Sequence, residues 1–313
     1  MKRFLRIFAI LLTFLLLIWG IIYIKPVEKR PDRTFYREDD PDFLVIAHRG
    51  GRGLAPEGTM AAFDTSAALG VDIFEYDIHQ TVDGHLVVSH DPTVDRMTNG
   101  SGRINDLTLK EVQALDAGYH FKDEEGNYKY RGQGVFIPTV REVFEAYPKM
   151  RQLIENKDTN REELYEEIIQ KLWLLIEEYE MEEEVMIGSF DHDINERFEE
   201  VTEGEIPIGA GEQAVREFAN LHVPYLNGLA ESTVDSLQLP VEQEGQDLAS
   251  KNIIASVKKR NMAIYYWTIN EKEEMRELIA KDVDGIITDY PDRLKEVIEE
   301  FEDKRKDEQD GRL

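Results

Sequence analysis

The chain contains no cysteine, and it carries far fewer basic than acidic side chains. Without cysteine it has no disulfide, no thiolate nucleophile and no cysteine-ligated zinc site. Its 37 lysines and arginines stand against 64 aspartates and glutamates, so the formal net charge is -27. Nucleic acids and anionic lipid surfaces are bound through clusters of Lys and Arg. This balance therefore argues against a nucleic-acid partner and against a broad basic face for binding lipid.

Charged residues are also missing from one local stretch, Ile7–Ile24, which is almost wholly apolar. About 18 to 20 such residues span a bilayer. Three basic residues precede the stretch, and Trp19 and Tyr23 lie toward its far end, where aromatic rings favour a membrane interface. A cleaved signal peptide has a shorter apolar region and a small-x-small site, and no such pair follows Gly20. We therefore expect an uncleaved anchor in preference to a cleaved signal sequence.

The N-terminal part is accordingly divided into a transmembrane anchor at residues 1–30 and a juxtamembrane linker at residues 31–42. The basic N-terminus favours a cytoplasmic start, although Lys25, Lys29 and two arginines after the span partly cancel that bias. The pattern thus favours a single-pass protein of the cell membrane, with the following domain outside the cytoplasm.

Short apolar runs alternate with stretches of helical spacing over residues 43–298. Such alternation predicts a parallel sheet, and about eight strands over roughly 250 residues predict an α/β fold of the closed (β/α)8 type, the TIM barrel. The aperiodic stretch Asp116–Gly134 predicts a small insertion after the third strand, and the polar stretch Glu231–Asp247 predicts a loop. Residues 299–313 form a charged tail that we expect to be disordered. The predicted strands are Leu44–Ala47, Ile73–Ile78, Leu86–Ser89, Gln152–Asn156, Val185–Phe190, Ile206–Ala210, Val223–Leu226, Ala263–Thr268 and Gly285–Thr288.

Two acidic residues, Glu75 and Asp77, interrupt the second of these apolar strands. Residues two apart on a strand point to the same side, so the two carboxylates are presented together. Because neighbouring unpaired carboxylates repel each other, a hard divalent cation is their natural occupant. The alternative is that both are solvated residues of an edge strand.

Five motif pieces follow one another over about fifty residues: His48-Arg49-Gly50, Pro56-Glu57-Gly58-Thr59, Glu75-x-Asp77, Thr81-x-Asp83-Gly84 and His90-Asp91. Their order and spacing resemble the opening of the glycerophosphodiester phosphodiesterase family, whose members are TIM-barrel phosphodiesterases. The family usually has Asn where this chain has Gly58. Further pieces that resemble the family are Glu155-Asn156-Lys157, Trp267-Thr268-x-Asn270, and the run from Asp284 to Pro291.

This resemblance assigns a role to each residue that lies near the end of a predicted strand. Three oxygen ligands suit Mg²⁺ or Ca²⁺, which would polarise a phosphoryl oxygen. Two histidines would exchange protons with the attacking and leaving oxygens, in either assignment of acid and base. The attacking group is water or a glycerol hydroxyl of the substrate, which would give a cyclic phosphate. The expected metal ligands are Glu75, Asp77 and Glu155, the catalytic residues are His48 and His90, and the phosphate- or substrate-binding residues are Arg49, Lys157 and Trp267.

Several of these roles have simpler structural alternatives. Glu155 and Lys157 could pair only with each other, and Trp267 could belong to the core. His79 could line the cleft or face the helices. Asp91 could orient His90 or support a turn, or it could act directly in the reaction.

The leading function is that of a membrane-anchored, metal-dependent hydrolase of lipid metabolism. It would convert glycerophosphodiesters to sn-glycerol 3-phosphate and an alcohol. The first alternative is lysophospholipase D activity on lysophospholipids, because an anchor could hold the barrel mouth near lipid. The second is a non-catalytic barrel that binds phosphodiesters or a protein partner. The sequence carries no signal for an oligomeric state.

Overall fold

The computed structural model describes residues 2–37, 39–222, 226–230, 232–243 and 245–309. Its strands are β1 Leu44–Ala47, β2 Ile73–Gln80, β3 Leu86–Val88, β4 Arg151–Asn156, β5 Val185–Gly188, β6 Ser236–Leu239, β7 Glu242–Gln243, β8 Gln246–Asp247, β9 Ala263–Tyr266 and β10 Gly285–Thr288. Its helices are α1 Lys2–Ile24, α2 Met60–Ala68, α3 Leu109–Gln113, α4 Val140–Ala146, α5 Tyr165–Glu178, α6 His192–Val201, α7 Glu212–His222, α8 Lys251–Lys259, α9 Lys272–Ala280 and α10 Pro291–Gln309.

The main sheet closes into a ring of parallel strands. Its hydrogen-bonded order is β5-β4-β2-β1-β10-β9-β6. The segment around Ile208 fills the remaining position, because Ile208 bridges to Ile187 of β5 and Gly209 bridges to Ser236 of β6, both in parallel. Eight parallel positions therefore form one barrel, and the predicted (β/α)8 fold is confirmed.

The strands are buried on both faces, as expected for a parallel sheet that is covered by helices. All four residues of β1 are buried. Its alternate residues Leu44 and Ile46 belong to the cluster that fills the barrel interior, while Val45 and Ala47 belong to the larger cluster under the helices. The barrel interior is thus a packed core.

The structure differs from the predicted strand assignment in two places. The segment Leu86–Ser89 does not continue the ring, because β3 pairs with the end of β2 in antiparallel fashion. The stretch Glu231–Asp247, predicted as a loop, contains the ring strand β6 and the small hairpin of β7 and β8. The strand β6 has no continuous apolar run, because Ser236 and Gln238 face the interior and only Leu237 and Leu239 are apolar. It was therefore not predicted as a strand. Residues 223–225 of the predicted strand Val223–Leu226 lie outside the described residues.

The insertion lies between β3 and β4 and has a small core of its own, which includes Val94, Ile104 and Val112. In its Asp116–Gly134 part, the guanidinium of Arg131 lies 3.5 Å from the Tyr128 ring centroid and 4.3 Å from that of Tyr119. These contacts order a stretch that has no regular secondary structure. The predicted insertion after the third strand is therefore confirmed.

The C-terminal tail and the predicted linker differ from their predicted form, whereas the predicted N-terminal apolar helix is present. The last helix, α10, continues to Gln309 through most of the segment that was expected to be disordered, and residues 310–313 lie outside the described residues. At the other end, α1 is 23 residues long, apolar and exposed, and it is long enough to cross a membrane. The predicted linker does not hang free, because Phe35 is only 1% exposed and belongs to the barrel's interior cluster.

Candidate active site

A cavity of about 210 Å³, partly open to solvent, lies at the carboxyl ends of the ring strands. His48 follows β1, Glu75 and Asp77 lie on β2, and Glu155 lies near the end of β4. Because parallel strands end on the same side of a barrel, residues far apart in sequence meet there. The residues that line the cavity include His48, Arg49, Glu75, Asp77, His90, Glu155, Phe190, Gln238 and Trp267.

Three carboxylates are grouped on the floor of this cavity. Oxygen atoms of Glu75, Asp77 and Glu155 all lie within 4.8 Å of one another. Burial and the neighbouring charge of Asp77 raise the pKa of Glu75, and the same causes raise the pKa of Glu155 to about 8. The Oδ2 atom of Asp77 is buried and has no hydrogen-bond partner. A hard cation would relieve this repulsion and complete the coordination of that oxygen, so the donor set fits Mg²⁺ or Ca²⁺.

The two cations predicted to bind phosphate occupy different environments. The backbone N–H of Arg49 donates to Glu75 Oε2 at 2.8 Å, and its side chain lines the cavity. Lys157 lies beside two of the carboxylates, with Nζ 2.7 Å from Glu155 Oε1 and 3.4 Å from Asp77 Oδ1. Burial lowers the pKa of Lys157, but the two acidic neighbours outweigh burial and raise it overall. Lys157 therefore balances the carboxylate charge in the present arrangement, and the pairing of Glu155 with Lys157 is observed.

His48 is held by a network that sequence reasoning did not assign to it. Its Nδ1 lies 2.6 Å from Asp289 Oδ1, and Asp289 also accepts from Asn270 Nδ2 at 2.9 Å. Burial opposes the ionisation of Asp289, but His48, Arg52 and Asn270 outweigh burial and lower its pKa. With Nδ1–H donated to an ionised carboxylate, Nε2 is the atom left for proton exchange. The signal was present in the sequence, because Asn270 and Asp289 both lie in the quoted motifs.

His90 is oriented in a comparable way, by the carboxylate of its neighbour in sequence. Its Nδ1 lies 2.8 Å from Asp91 Oδ1, and Arg96 Nε donates to Asp91 Oδ2 at 2.6 Å. Burial lowers the pKa of His90, despite the opposing effect of nearby acids. Arg96 also makes a double contact with Glu57, at 2.6 and 2.9 Å, and Glu57 in turn accepts from Arg49. A chain of alternating charges thus connects His90 to Arg49.

Gly58 replaces the family's Asn without disturbing the turn. Its φ is +62°, in the left-handed region that Gly and Asn adopt most readily. Its N–H donates to the carbonyl of Arg49 at 2.8 Å, which fixes the chain that follows the first strand. A Cβ at this position would lie 2.9 Å from Val88 Cγ1, so the glycine also permits close packing against β3.

One wall of the cavity is largely apolar. The rings of Phe190 and Trp267 meet edge to face, with centroids 5.9 Å apart. Val215 and Pro240 extend this surface toward the opening. Phe190 is 44% exposed, so part of the surface faces solvent at the mouth. This wall therefore offers apolar surface rather than charge to a bound molecule.

His79 does not belong to the cavity. It is fully buried, and its ring nitrogens lie 2.9 Å from the carbonyl of Ser89 and 3.0 Å from Thr159 Oγ1. Burial lowers its pKa to about 4, so it is neutral near pH 7. Of the two alternatives for His79, the structure supports a role in the core.

Fold and site together define a barrel in which a carboxylate cluster and two oriented histidines line one cavity. The model of the glycerophosphoryl diester phosphodiesterase family matches residues 48–293. A glycerophosphodiester phosphodiesterase of Caldanaerobacter subterraneus is 37% identical over 260 residues, which cover 80% of this chain and 96% of that enzyme. A lysophospholipase D of Rattus norvegicus is 29% identical over 278 residues, covering 81% of this chain and 85% of that enzyme.

Solved structures agree on the fold. An Oleispira antarctica phosphodiesterase in complex with the product sn-glycerol-3-phosphate aligns with a TM-score of 0.64 at 23% identity. The alignment covers 82% of this chain and 96% of that one. The chain therefore belongs to the glycerophosphoryl diester phosphodiesterase family, and it is a phosphodiesterase.

Proposed function

We propose that this enzyme hydrolyses glycerophosphodiesters to sn-glycerol 3-phosphate and an alcohol, with a divalent cation and a pair of histidines. The observation that carries the proposal is the meeting of Glu75, Asp77 and Glu155 with His48 and His90 around one cavity. Family membership supports the substrate class, and the relative that shares 37% identity bears the same activity in its name.

The three carboxylates would hold Mg²⁺ or Ca²⁺, which supplies charge neutralisation at a phosphoryl oxygen. Arg49 would add a planar donor group to the phosphate from the cavity wall. Lys157 would supply a second positive charge to the phosphate from its place beside Glu155 and Asp77. Trp267 would contact the substrate's alcohol portion as part of the apolar wall.

His48 and His90 would move the protons of the reaction. One accepts the proton of the attacking hydroxyl as the new P–O bond forms, and the other donates a proton to the leaving alkoxide as the old P–O bond breaks. Asp289 and Asp91 hold each Nδ1, so both Nε2 atoms are the exchanging atoms.

The second candidate is lysophospholipase D activity. The apolar wall formed by Phe190, Trp267, Val215 and Pro240 favours it, because an acyl chain needs apolar surface beyond the phosphate. The similarity to the rat enzyme of that name gives further support. The two candidates share the phosphoryl chemistry and differ only in the group that the wall receives.

For the location of the enzyme, we propose that α1 remains attached as a single-pass anchor in the cell membrane, with the barrel outside the cytoplasm. The exposed, apolar surface of α1 and the basic residues before it support this topology. Because the chain has no cysteine, Glu183→Cys provides a single thiol on the barrel surface. A membrane-impermeant maleimide should label it in intact cells. Labelling only after lysis would refute the topology.

The activity is tested with the full chain in detergent. Release of sn-glycerol 3-phosphate from glycerophosphocholine should be abolished by EDTA and restored by excess Mg²⁺ or Ca²⁺. Lysophosphatidylcholine is assayed in parallel for choline release at the same cation concentration. Turnover that survives complete removal of the cation would contradict the metal-dependent mechanism, and turnover of lysophosphatidylcholine alone would replace the first candidate with the second.

A further inference from the structure

The segment between the membrane helix and the barrel is fastened to the end of the barrel opposite the active site. We propose that the bound segment holds the catalytic mouth away from the bilayer, so that the enzyme takes its diester from the aqueous phase rather than from the membrane in which it is anchored. The inference rests on the proposed function and on α1 as an anchor, and it narrows the substrate class.

Two arginines make the central contact. Arg33 binds Asp235 with Nε–Oδ1 and Nη2–Oδ2 distances of 2.8 and 3.1 Å. Arg30 binds the same carboxylate at 3.0 Å through both Nε and Nη2, and it reaches Glu199 at 2.7 Å. The Asp235 side chain is only 1% exposed, so these ion pairs are shielded from water. Two-pronged Arg–carboxylate pairs of this kind fix orientation as well as distance.

Backbone and apolar contacts extend this attachment. Arg30 N donates to the carbonyl of Arg260 at 2.9 Å, and Ser232 Oγ donates to the carbonyl of Glu28 at 2.7 Å. Phe35 then enters the barrel interior and is almost completely buried. The segment therefore covers the barrel end as part of the fold.

The attachment lies at the amino ends of the ring strands. Asp235 immediately precedes β6, and the Arg260–Asn261 turn precedes β9. Arg151, the first residue of β4, donates to the carbonyl of Phe35 at 3.1 Å. His48, Glu155 and the rest of the cavity lie at the carboxyl ends of the same strands. The anchor side and the catalytic mouth are thus opposite ends of one barrel.

The segment between α1 and Arg30 is too short to allow the barrel to rotate until its catalytic mouth faces the bilayer. Only residues 25–29 lie between the end of α1 at Ile24 and the bound Arg30. Even when fully extended, this segment separates Ile24 from Arg30 by at most about 20 Å. A domain of this size is roughly 45 Å across. If the mouth faced the bilayer, Arg30 would be a full domain diameter from it. The end of α1 also lies directly on the Asn227–Leu229 turn, since a Cβ on Gly228 would come within 1.9 Å of the Ile22 carbonyl.

This orientation decides between sources of substrate that the cavity alone would accept. The apolar wall around Phe190 and Trp267 tolerates a large alcohol group, but a lysolipid in the anchoring bilayer would have to leave it to reach the mouth. A water-soluble glycerophosphodiester reaches the mouth by diffusion. The expected preference for water-soluble glycerophosphodiesters over lysolipids therefore follows from the location of the catalytic mouth as well as from the residues that line it.

The orientation is tested with single cysteines in the otherwise cysteine-free full chain. Leu229→Cys places a probe beside the anchor, where Leu229 is 46% exposed, and Gln133→Cys places one on the insertion at the catalytic side. Each variant is labelled with the same fluorophore and reconstituted into vesicles whose lipid headgroups carry a quencher. We expect strong quenching at Leu229→Cys and at least fivefold weaker quenching at Gln133→Cys. Equal quenching of the two probes would overturn the proposal.

A turnover comparison tests the consequence for substrate and separates it from the proposed function. The full chain is assayed in detergent and in vesicles, with glycerophosphocholine in solution or with a long-chain lysophosphatidylcholine held in the same vesicles. We expect glycerophosphocholine turnover to agree within about twofold between the two states, and lysolipid turnover to be at least tenfold lower in vesicles than in micelles. Equal lysolipid turnover in both states would refute the aqueous source. Absence of all turnover in detergent would refute the proposed function instead, while the quenching result would still decide the orientation.

Discussion

Replacing Glu155 by Gln should stabilise the enzyme when no cation is present, although it removes a proposed metal ligand. Burial and the charge of Asp77 raise the pKa of Glu155 from its ordinary 4.5 to about 8. At pH 7 the folded protein therefore keeps a proton on Glu155 that the unfolded chain releases. Holding that proton over 2.5 pH units costs roughly 3 kcal/mol of folding free energy. Gln has nearly the same shape and needs no proton, and Lys157 keeps its second partner, Asp77, at 3.4 Å.

The sign of the pH dependence follows from the same values. A carboxyl whose folded pKa is raised contributes stability below pH 4.5, and this contribution is lost as the pH rises toward 8. The advantage of Glu155→Gln should therefore be small at pH 4.5 and should grow to roughly 3 kcal/mol at pH 7. For a domain of this size, that corresponds to a melting temperature higher by roughly 5 to 10 °C.

Thermal unfolding in EDTA, followed by tryptophan fluorescence, measures this difference. Glu177→Gln on the exposed face of α5 is the matched control and should change the melting temperature little. Excess Mg²⁺ or Ca²⁺ should remove most of this difference, because a ligand at 100 times its dissociation constant stabilises the wild type by about 2.7 kcal/mol and the variant by less. A variant that is less stable than the wild type in EDTA at pH 7 would refute the assignment of a strained carboxylate cluster.

Three further outcomes follow from individual contacts. Asp289→Asn should lower kcat by roughly 100-fold with little change in KM, because His48 loses its ionised partner, and unchanged kcat would contradict that role. The pKa of His79 is about 4 in the folded protein and about 6.5 in the unfolded chain, so the free energy of unfolding of the wild type should fall by roughly 2 to 3 kcal/mol between pH 7 and pH 4.5. In urea unfolding, His79→Gln should not show this decrease, and an equal decrease in wild type and variant would contradict the buried, neutral state of His79. Thr139→Ala removes the capping box of α4 and should cost about 1 kcal/mol in urea unfolding while kcat is unchanged, and a cost below about 0.3 kcal/mol would argue against the cap.

The barrel could be predicted where the strands are apolar on both sides. Leu44–Ala47 and Gly285–Thr288 were predicted with the bounds that the structure has, because buried parallel strands give continuous apolar runs. Ser236–Leu239 could not be found in this way, since two of its four residues are polar and face the interior. Leu86–Val88 gave the opposite error, because an apolar run does not distinguish a ring strand from an antiparallel partner.

Some contacts of the candidate site could likewise be predicted from the sequence, and others could not. Alternation along one strand was enough to place Glu75 beside Asp77, and the strand-end rule brought both close to Glu155. The orienting partners of His48 could not be derived from spacing, because Asp289 is contributed by the last ring strand, 241 residues away. The contact of Lys157 with Asp77 as well as with Glu155 depends on the register of β4 against β2, in which Asp77 lies opposite Glu155.

The N-terminal segment shows what composition alone leaves out. Prolines and charges between Ile24 and Pro41 are typical of a flexible linker. Instead, two of its arginines bind the buried carboxylate of Asp235, and Phe35 packs in the barrel interior. Whether such a segment binds the domain depends on a partner two hundred residues away, and local pattern contains no information about it.

The two-histidine mechanism is tested most directly by the kcat for sn-glycerol 3-phosphate release from glycerophosphocholine, measured for the full chain with saturating cation. Wild type is compared with His48→Ala and His90→Ala, which alter the cavity, and with His85→Ala, which alters an exposed turn outside it. We expect each cavity substitution to lower kcat by at least 100-fold and His85→Ala to change it less than twofold. Near-wild-type turnover by His48→Ala or His90→Ala would contradict the two-histidine mechanism.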